Sequence, residues 1–232
     1  GPVILGARAI AYPLACGNTV IFKGSENSPR THALLAEAFY EAGLPAGVLN
    51  FLISAPEDAA AVTEALVAHD SVRRVNFTGS TKVGRMIAQT CATHLKRCLL
   101  ELGGKAPFIV LDDADIEGAV NAAVFGAFLY QGQICMSTER FVVDERVADD
   151  FVSRFSARVA ALETNVPSES AACVIGPMIA QGSVQRINQL LDDAIGKGAQ
   201  IVAGGLAETA LMAPTLVDRV TRDMDIYDEE TF

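Results

Sequence analysis

An α/β fold, with a largely parallel sheet covered by helices, is predicted by three features of the sequence. Short apolar runs typical of strands alternate with segments of helical periodicity over most of the 232 residues, which is the pattern of repeated strand–helix units. Gly and Pro residues separate these segments, where turns are expected. Half of the residues are hydrophobic and 20% are charged. This balance supports a sizeable core and excludes a disordered or collagen-like chain.

The first part of the chain contains seven predicted elements. Ser28 is a favourable N-cap and Pro29 a favourable first residue, so a helix begins there. Gly43 ends this helix, and Pro45 and Gly47 turn the chain into the next strand. In chain order the elements are a strand at 19–23, a helix at 28–41, a strand at 48–53, a helix at 56–69, a strand at 73–78, a helix at 82–94 and a strand at 97–102.

A turn at Gly103 and Gly104 separates this run from a second run of units, so we place a domain boundary there, between 1–103 and 104–232. The pattern then restarts with a strand, an Ala-rich helix and a loop through Cys135. The second run comprises strands at 107–111, 140–144, 200–203 and 215–217 and helices at 116–130, 148–162 and 179–195.

Charge and composition exclude several classes of partner. The formal net charge of −10 repels nucleic acid and anionic membranes, and no basic run offsets it. The apolar stretch at 2–22 is interrupted by Arg8, Pro13 and Gly17, so no membrane span is predicted.

No basic region of a signal peptide is present, and the five cysteines form no Cys-x-x-Cys pair, so we expect reduced thiols in the cytoplasm. The three histidines are too scattered for a zinc site.

Cys135 is the candidate nucleophile. It lies in a loop between a predicted helix and a predicted strand, where a thiol can be exposed and where backbone N–H groups of the turn can bind an oxyanion. The alternative is a small buried hydrophobic residue, which is the commoner environment of a free cysteine.

Other candidate residues lie at the ends of predicted strands. Glu101 closes an apolar strand, where a desolvated general base can arise, although a solvated acid at a strand end fits the same pattern. Gly79 and Ser80 join a strand to a helix, where an anion or dinucleotide would bind. That turn lacks the complete glycine fingerprint, so a plain strand-to-helix turn fits equally. Lys23 and Glu26 could contact ribose hydroxyls or form a solvated loop pair.

Several motifs in order resemble the aldehyde dehydrogenase superfamily over the whole chain. They are GNTVIFKGSE at 17–26, AGLPAGVLN at 42–50, NFTGS at 76–80, LELGGK at 100–105 and QGQIC at 131–135. Within the superfamily, ICMSTER at 134–140 and KAP at 105–107 are most similar to the salicylaldehyde and vanillin dehydrogenase branch, which oxidises aromatic aldehydes.

The resemblance implies a role for each candidate. Cys135 would add to the aldehyde, giving a thiohemiacetal and then a thioester, and Glu101 would activate water for hydrolysis of the thioester. The resemblance also implies NAD as the cofactor, bound by a Rossmann-like parallel sheet. Lys23 and Glu26 match contacts to the adenosine ribose. The pyrophosphate turn is matched by Phe77, Gly79 and Ser80. Leu102 matches a nicotinamide contact, and Glu230 and Phe232 match contacts to the nicotinamide ribose.

The cofactor and substrate expectations follow from the types of these residues. A carboxylate at Glu26 would repel the 2′-phosphate of NADP, which favours NAD. The four positions that the resemblance assigns to the substrate tunnel are apolar and favour a flat or apolar aldehyde over a charged one. They are Phe125, Leu129, Ile134 and Met136. Core packing of Phe125 and Leu129 is the alternative.

By the same resemblance the chain is incomplete at both ends. It comprises an N-terminally incomplete NAD-binding domain at 1–103 and a C-terminally incomplete α/β catalytic domain at 104–232. The segments through which the parent protein would form a homo-oligomer are expected to be absent, as is the side-chain oxyanion donor that precedes Pro2. We therefore expect the isolated 232 residues to be inactive.

Two other functions fit some of the same residues. A thiol hydrolase or acyltransferase could use Cys135 and Glu101 without a cofactor. A non-catalytic nucleotide-binding module would need neither residue, and the occurrence of both in their motifs disfavours it.

Overall fold

The computed structural model describes residues 1–232, in which eight helices and eight strands follow one another along the chain. Backbone contacts divide the chain into two units, Gly1–Leu102 and Gly103–Phe232. Hydrogen bonds join the strands in four pairs, of which three are parallel and the last is antiparallel. The α/β prediction with mostly parallel strands is confirmed. None of the helices is long and apolar enough to cross a membrane.

The first unit places helices beside two parallel strand pairs, β1–β2 and β3–β4. Its elements are α1 (Pro2–Ala15), β1 (Val20–Lys23), α2 (Pro29–Glu41), β2 (Leu49–Leu52), α3 (Ala59–Ala68), β3 (Arg74–Gly79), α4 (Thr81–Thr93) and β4 (Arg97–Leu102). Each strand pair has its own small core. The buried residues are Ile10, Phe22, Ala36 and Leu49 in one core and Val67, Ile87 and Cys91 in the other.

Helix α1 was not predicted, because Arg8 and Pro13 interrupt its apolar pattern. Pro13 lies in the last turn, so the helix is nearly complete before the proline affects its hydrogen bonding. The helix buries Gly6 and Ile10. A Cβ atom on Gly6 would lie 2.8 Å from Leu35 Cδ2, so the missing side chain allows α1 to approach α2 closely.

The second unit combines a parallel strand pair, β5–β6, with an antiparallel pair, β7–β8. Its elements are β5 (Ala106–Val110), α5 (Ile116–Phe128), β6 (Thr138–Val143), α6 (Ala148–Ala160), α7 (Gln181–Gly196), β7 (Gln200–Ala203), β8 (Leu216–Asp218) and the short α8 (Asp225–Asp228). The larger core consists of Val110, Val120, Ala123, Phe151, Phe155 and Val159. Because β5 and α5 precede the Cys135 loop and β6 follows it, this core fixes both ends of the loop.

Candidate functional site

The loop that carries Cys135 begins with an unusual backbone. Helix α5 ends at Phe128, two residues earlier than predicted, and a short turn follows. Tyr130, Gln131 and Gly132 all have positive φ, at 59°, 59° and 71°. Left-handed conformations are strained for residues other than glycine, and such strain is concentrated at functional sites. The three residues turn the chain from α5 towards β6.

Cys135 is exposed at the tip of the next turn. That turn is closed by a 2.9 Å hydrogen bond in which Ser137 N–H donates to the Ile134 carbonyl. The N–H groups of Cys135 and Met136 have no acceptor within the chain. An accessible thiol therefore lies beside unpaired donors, which is the arrangement that binds an oxyanion formed at a carbonyl carbon. Cys135 is not a buried structural cysteine.

The four positions predicted to line a substrate tunnel surround this turn in sequence, and three of them are exposed. Phe125 is 66%, Leu129 46% and Met136 79% exposed, whereas Ile134 is half-buried. The core-packing interpretation of Phe125 and Leu129 does not hold in this chain. Contact of the four side chains with an aldehyde stays a prediction.

Glu101 lies near the end of β4, where it pairs in register with Thr78 of β3. The expected desolvation is not seen, because the side chain is 44% exposed. Arg8 of α1 lies 3.7 Å from the carboxylate, measured from Nη1 to Oε2, and its Nη2 donates to Thr78 Oγ1 at 3.4 Å. Arg8 was not among the site residues predicted from the sequence. The available signal was that it is the only charged residue of an otherwise apolar helix.

Lys23 and Glu26 are brought together at the end of β1. Lys23 Nζ lies 3.5 Å from Glu26 Oε2, and both side chains are partly exposed. The carboxylate therefore has a cationic neighbour and remains open to a ligand. The Glu26 carboxylate can therefore accept hydrogen bonds from the two hydroxyls of a vicinal diol.

The turn between β3 and α4 is tightly packed on one side and open on the other. A Cβ atom on Gly79 would lie 2.5 Å from the Phe77 ring, so only glycine allows this contact. Ser80 is the N-cap of α4, and its hydroxyl accepts from Val83 N–H at 3.4 Å. The preceding N–H groups, of Thr81 and Lys82, have no acceptor within the chain. Free donors at a helix N-terminus are suited to an anion such as a pyrophosphate.

Leu102, the predicted nicotinamide contact, packs against α4. A Cβ atom on Gly84 would lie 2.6 Å from Leu102 Cδ2, so Gly84 makes room for this side chain. Of the predicted cofactor residues in the first unit, Lys23, Gly79 and Leu102 are the last residues of their strands, and Ser80 caps α4. Phe77 lies within β3, and Glu26 lies in the loop after β1.

The two remaining predicted cofactor residues lie at the end of the second unit. The Glu230 carboxylate occupies the space that a side chain on Gly103 would need, and it also contacts the Gly104 backbone N–H. Burial is the main cause that raises the pKa of Glu230, and the negative charge of Glu139 adds to it. Phe232 is exposed.

A buried ion pair that the sequence analysis missed lies beside these residues. Lys105 Nζ is 2.9 Å from Glu139 Oε2, and the two side chains are only 10% and 6% exposed. Burial lowers the pKa of Lys105, and the bond to Glu139 opposes that change. The available signal was a charged residue beside each of two apolar strands.

No group of His, Cys, Asp and Glu side chains is arranged to hold a metal ion. Two open cavities of about 370 and 430 Å³ occur in the first unit. Neither is lined by a predicted site residue.

Comparison with known proteins gives consistent matches over the chain. The model described as aldehyde dehydrogenase family matches residues 1–232. Salicylaldehyde dehydrogenase of Pseudomonas putida is 61% identical over 232 residues, which is 100% of this chain and 48% of that protein. Vanillin dehydrogenase of Pseudomonas fluorescens is 53% identical over 231 residues, again covering 100% of this chain and 48% of that protein.

Among solved structures, the crystal structure of a salicylaldehyde dehydrogenase from Pseudomonas putida G7 complexed with salicylaldehyde matches with a TM-score of 0.97. It is 61% identical, and the match covers 99% of this chain and 47% of that chain. The chain thus spans about half the length of the curated relatives it matches.

Proposed function

This chain belongs to the aldehyde dehydrogenase family, and from that premise we propose that its protein oxidises an aromatic aldehyde to the carboxylic acid with NAD. The observation that carries the proposal is the exposed Cys135 on a turn with unpaired N–H groups. The protein's similarity to salicylaldehyde and vanillin dehydrogenases supports the aromatic substrate.

The proposed reaction begins at the Cys135 sulfur. Its thiolate adds to the carbonyl carbon, and the carbonyl oxygen becomes an oxyanion that the Cys135 N–H can bind. NAD, when bound, would supply the acceptor for the hydride that leaves this carbon with its electron pair. Loss of the hydride would let the carbonyl re-form, so that the substrate is held on Cys135 as a thioester.

Glu101 is assigned to the second half of the reaction. As a carboxylate it can accept a proton from water while the water oxygen attacks the thioester carbon. The carboxylic acid then leaves, and the Cys135 thiol is regenerated. The same carboxylate can take up the thiol proton before the first step, provided that it releases this proton to solvent before it accepts one from water. Such a division lets the covalent bond hold the substrate between the two steps.

The residues proposed to bind NAD fit that group by their chemistry. The open carboxylate of Glu26 suits the two ribose hydroxyls, and the free N–H groups at the start of α4 suit a pyrophosphate. A second negative charge, as on the 2′-phosphate of NADP, would be repelled by Glu26. We therefore propose NAD rather than NADP.

Four further elements of the proposal concern the whole protein. Residues 1–103 would form the NAD-binding part, and residues 104–232 the catalytic part. The protein would form a homo-oligomer and work in the cytoplasm, where a nucleophilic thiol stays reduced. The isolated 232 residues would not catalyse oxidation of the aldehyde, because the relatives they match are about twice as long.

A test of this function uses the full-length protein, meaning this chain with flanking segments taken from its 61% identical relative. We expect NADH formation with salicylaldehyde, vanillin and benzaldehyde and much slower formation with an aliphatic aldehyde. Cys135→Ala should lower kcat/KM by at least about 10³-fold, since the covalent step is lost.

Cys16→Ala is the matched control, because Cys16 is the other exposed cysteine of the chain. It should leave kcat/KM unchanged. An active Cys135→Ala protein rules out the mechanism, and equal rates with all four aldehydes rule out the aromatic preference. Ester hydrolysis without NADH formation would favour the cofactor-free thiol hydrolase.

A further inference from the structure

The buried Lys105–Glu139 pair does more than neutralise two charges, because both side chains bind the same short stretch of backbone. Lys105 Nζ donates to the Glu229 carbonyl at 2.8 Å as well as to Glu139. Glu139 Oε2 accepts from the Thr231 N–H at 2.8 Å and from its hydroxyl at 2.9 Å. The pair therefore holds the C-terminal segment, residues 229–232, at two points.

The two points lie on either side of Glu230. The backbone is extended at Glu229, with φ −80° and ψ 131°, and neighbouring side chains of an extended backbone point in opposite directions. The ion pair holds the backbone at residues 229 and 231, and Arg186 also contacts the Glu229 carboxylate and the Thr231 carbonyl. The side chain between these two residues is directed to the Gly103 backbone, where the Glu230 carboxylate is found. The orientation of Glu230 thus depends on its neighbours.

Both members of the pair are also tied to the element that follows the nucleophile. Glu139 lies in β6, four residues after Cys135, and Lys105 directly precedes β5, the hydrogen-bonded partner of β6. The C-terminal segment is therefore anchored to the strand that begins at the end of the Cys135 turn.

We propose that Lys105 and Glu139 are positioning residues that hold the C-terminal segment so that Glu230 and Phe232 can engage the nicotinamide end of the cofactor. The consequence for the cofactor rests on the proposed function. Neither residue is assigned a chemical step. They act through the segment whose backbone they bind.

Stability alone does not account for this pair. Two buried charges lose their hydration, and an apolar pair of similar volume often replaces them without loss of stability. Charge-assisted hydrogen bonds, in contrast, specify the direction and distance of their partners. Four such bonds converge here on two side chains.

The test compares the full-length protein with the double variant Lys105→Met/Glu139→Leu, which keeps the volume and removes the hydrogen bonds. We expect exchange of the Thr231 amide hydrogen to accelerate by at least about tenfold, because its acceptor is lost. The KM for NAD should rise about tenfold, with the KM for aldehyde unchanged and the unfolding midpoint shifted by less than about 3 °C.

Two comparisons make the result specific. Glu139→Gln retains an oxygen acceptor for Thr231 and should raise the KM for NAD less than the double variant does. Asp150→Asn/Arg154→Gln removes an exposed ion pair of α6 and should change neither the exchange rate nor the KM.

Unchanged exchange at Thr231 in the double variant overturns the proposal. Accelerated exchange with an unchanged KM for NAD overturns its consequence for the cofactor. If the unsubstituted full-length protein fails to reduce NAD, the proposed function fails, and the exchange measurement still decides whether the pair holds the segment.

Discussion

At the scale of single residues, the charge pairs of this protein differ in how far they are open to solvent, and this difference separates their roles. Lys105 and Glu139 are almost fully buried, so their hydrogen bonds fix a geometry. Lys23 and Glu26 are partly exposed, so the pair contributes little to stability and the carboxylate stays open to a ligand. Arg8 and Glu101 are the most exposed of the three pairs.

The Glu26 carboxylate is expected to decide between NAD and NADP. We predict that Glu26→Gln raises kcat/KM for NADP by about tenfold or more and lowers it for NAD by about threefold, because the amide neither repels a phosphate nor accepts as strongly from hydroxyls. Steady-state kinetics of the full-length protein with both cofactors measure this ratio.

Glu37→Gln is the control for Glu26→Gln. Glu37 is an exposed carboxylate on α2, so the net charge changes equally while the proposed ribose site does not. Glu26 would not be the residue that selects NAD if Glu26→Gln left the ratio of kcat/KM for NAD and NADP unchanged. The same conclusion would follow if Glu37→Gln changed this ratio equally.

At the scale of elements, two helices that begin with serine differ in how they are capped. Ser80 accepts a hydrogen bond from Val83 N–H at the start of α4. Ser28, which the sequence also predicts as a cap, makes no side-chain hydrogen bond at the start of α2. The backbone explains the difference: Ser80 is extended at φ −69° and ψ 150°, whereas Ser28 has φ −142° and ψ 50°.

We predict that Ser80→Ala lowers the free energy of unfolding by about 0.5–1 kcal/mol, since it leaves the Val83 N–H unpaired. Ser28→Ala should lower it by less than about 0.5 kcal/mol, since no capping bond is lost. Urea unfolding of the two variants and the unsubstituted protein measures both values. If Ser80→Ala and Ser28→Ala lowered the free energy of unfolding equally, Ser80 would not be the stronger helix cap.

At the scale of the whole molecule, the strands expose apolar side chains on the faces of their two-stranded sheets. Leu99 of β4, Ile109 of β5 and Val142 of β6 are 56%, 65% and 50% exposed. Hydrogen bonds join the strands only in pairs, so each pair also has unpaired edges. Exposed apolar strands with open edges favour association between chains.

The isolated 232 residues are therefore predicted to associate and to bind the apolar dye ANS more strongly than the full-length protein does. Size-exclusion chromatography and dye fluorescence compare the two. Ile109→Lys/Val142→Lys should reduce association, because charges on a strand oppose pairing with another chain. A monomeric chain with no excess dye binding would show that these surfaces are already protected.

Much of the secondary structure and part of the candidate site could be predicted, because both depend on local patterns. The predicted strands and helices occur within a few residues of their expected bounds, since apolar periodicity and turn residues specify them. The loop position of Cys135 followed in the same way. The left-handed backbone at Tyr130 and Gln131 could not be predicted, because neither residue type favours positive φ.

By itself, then, the sequence determined the alternation of strands and helices and the position of the thiol between two of them. Only the tertiary structure decided which charges meet. Lys105 and Glu139 are 34 positions apart, and Glu139 and Thr231 are 92 positions apart. Contacts over such separations depend on how the strands pair and how the chain packs, and no local pattern of residues specifies them.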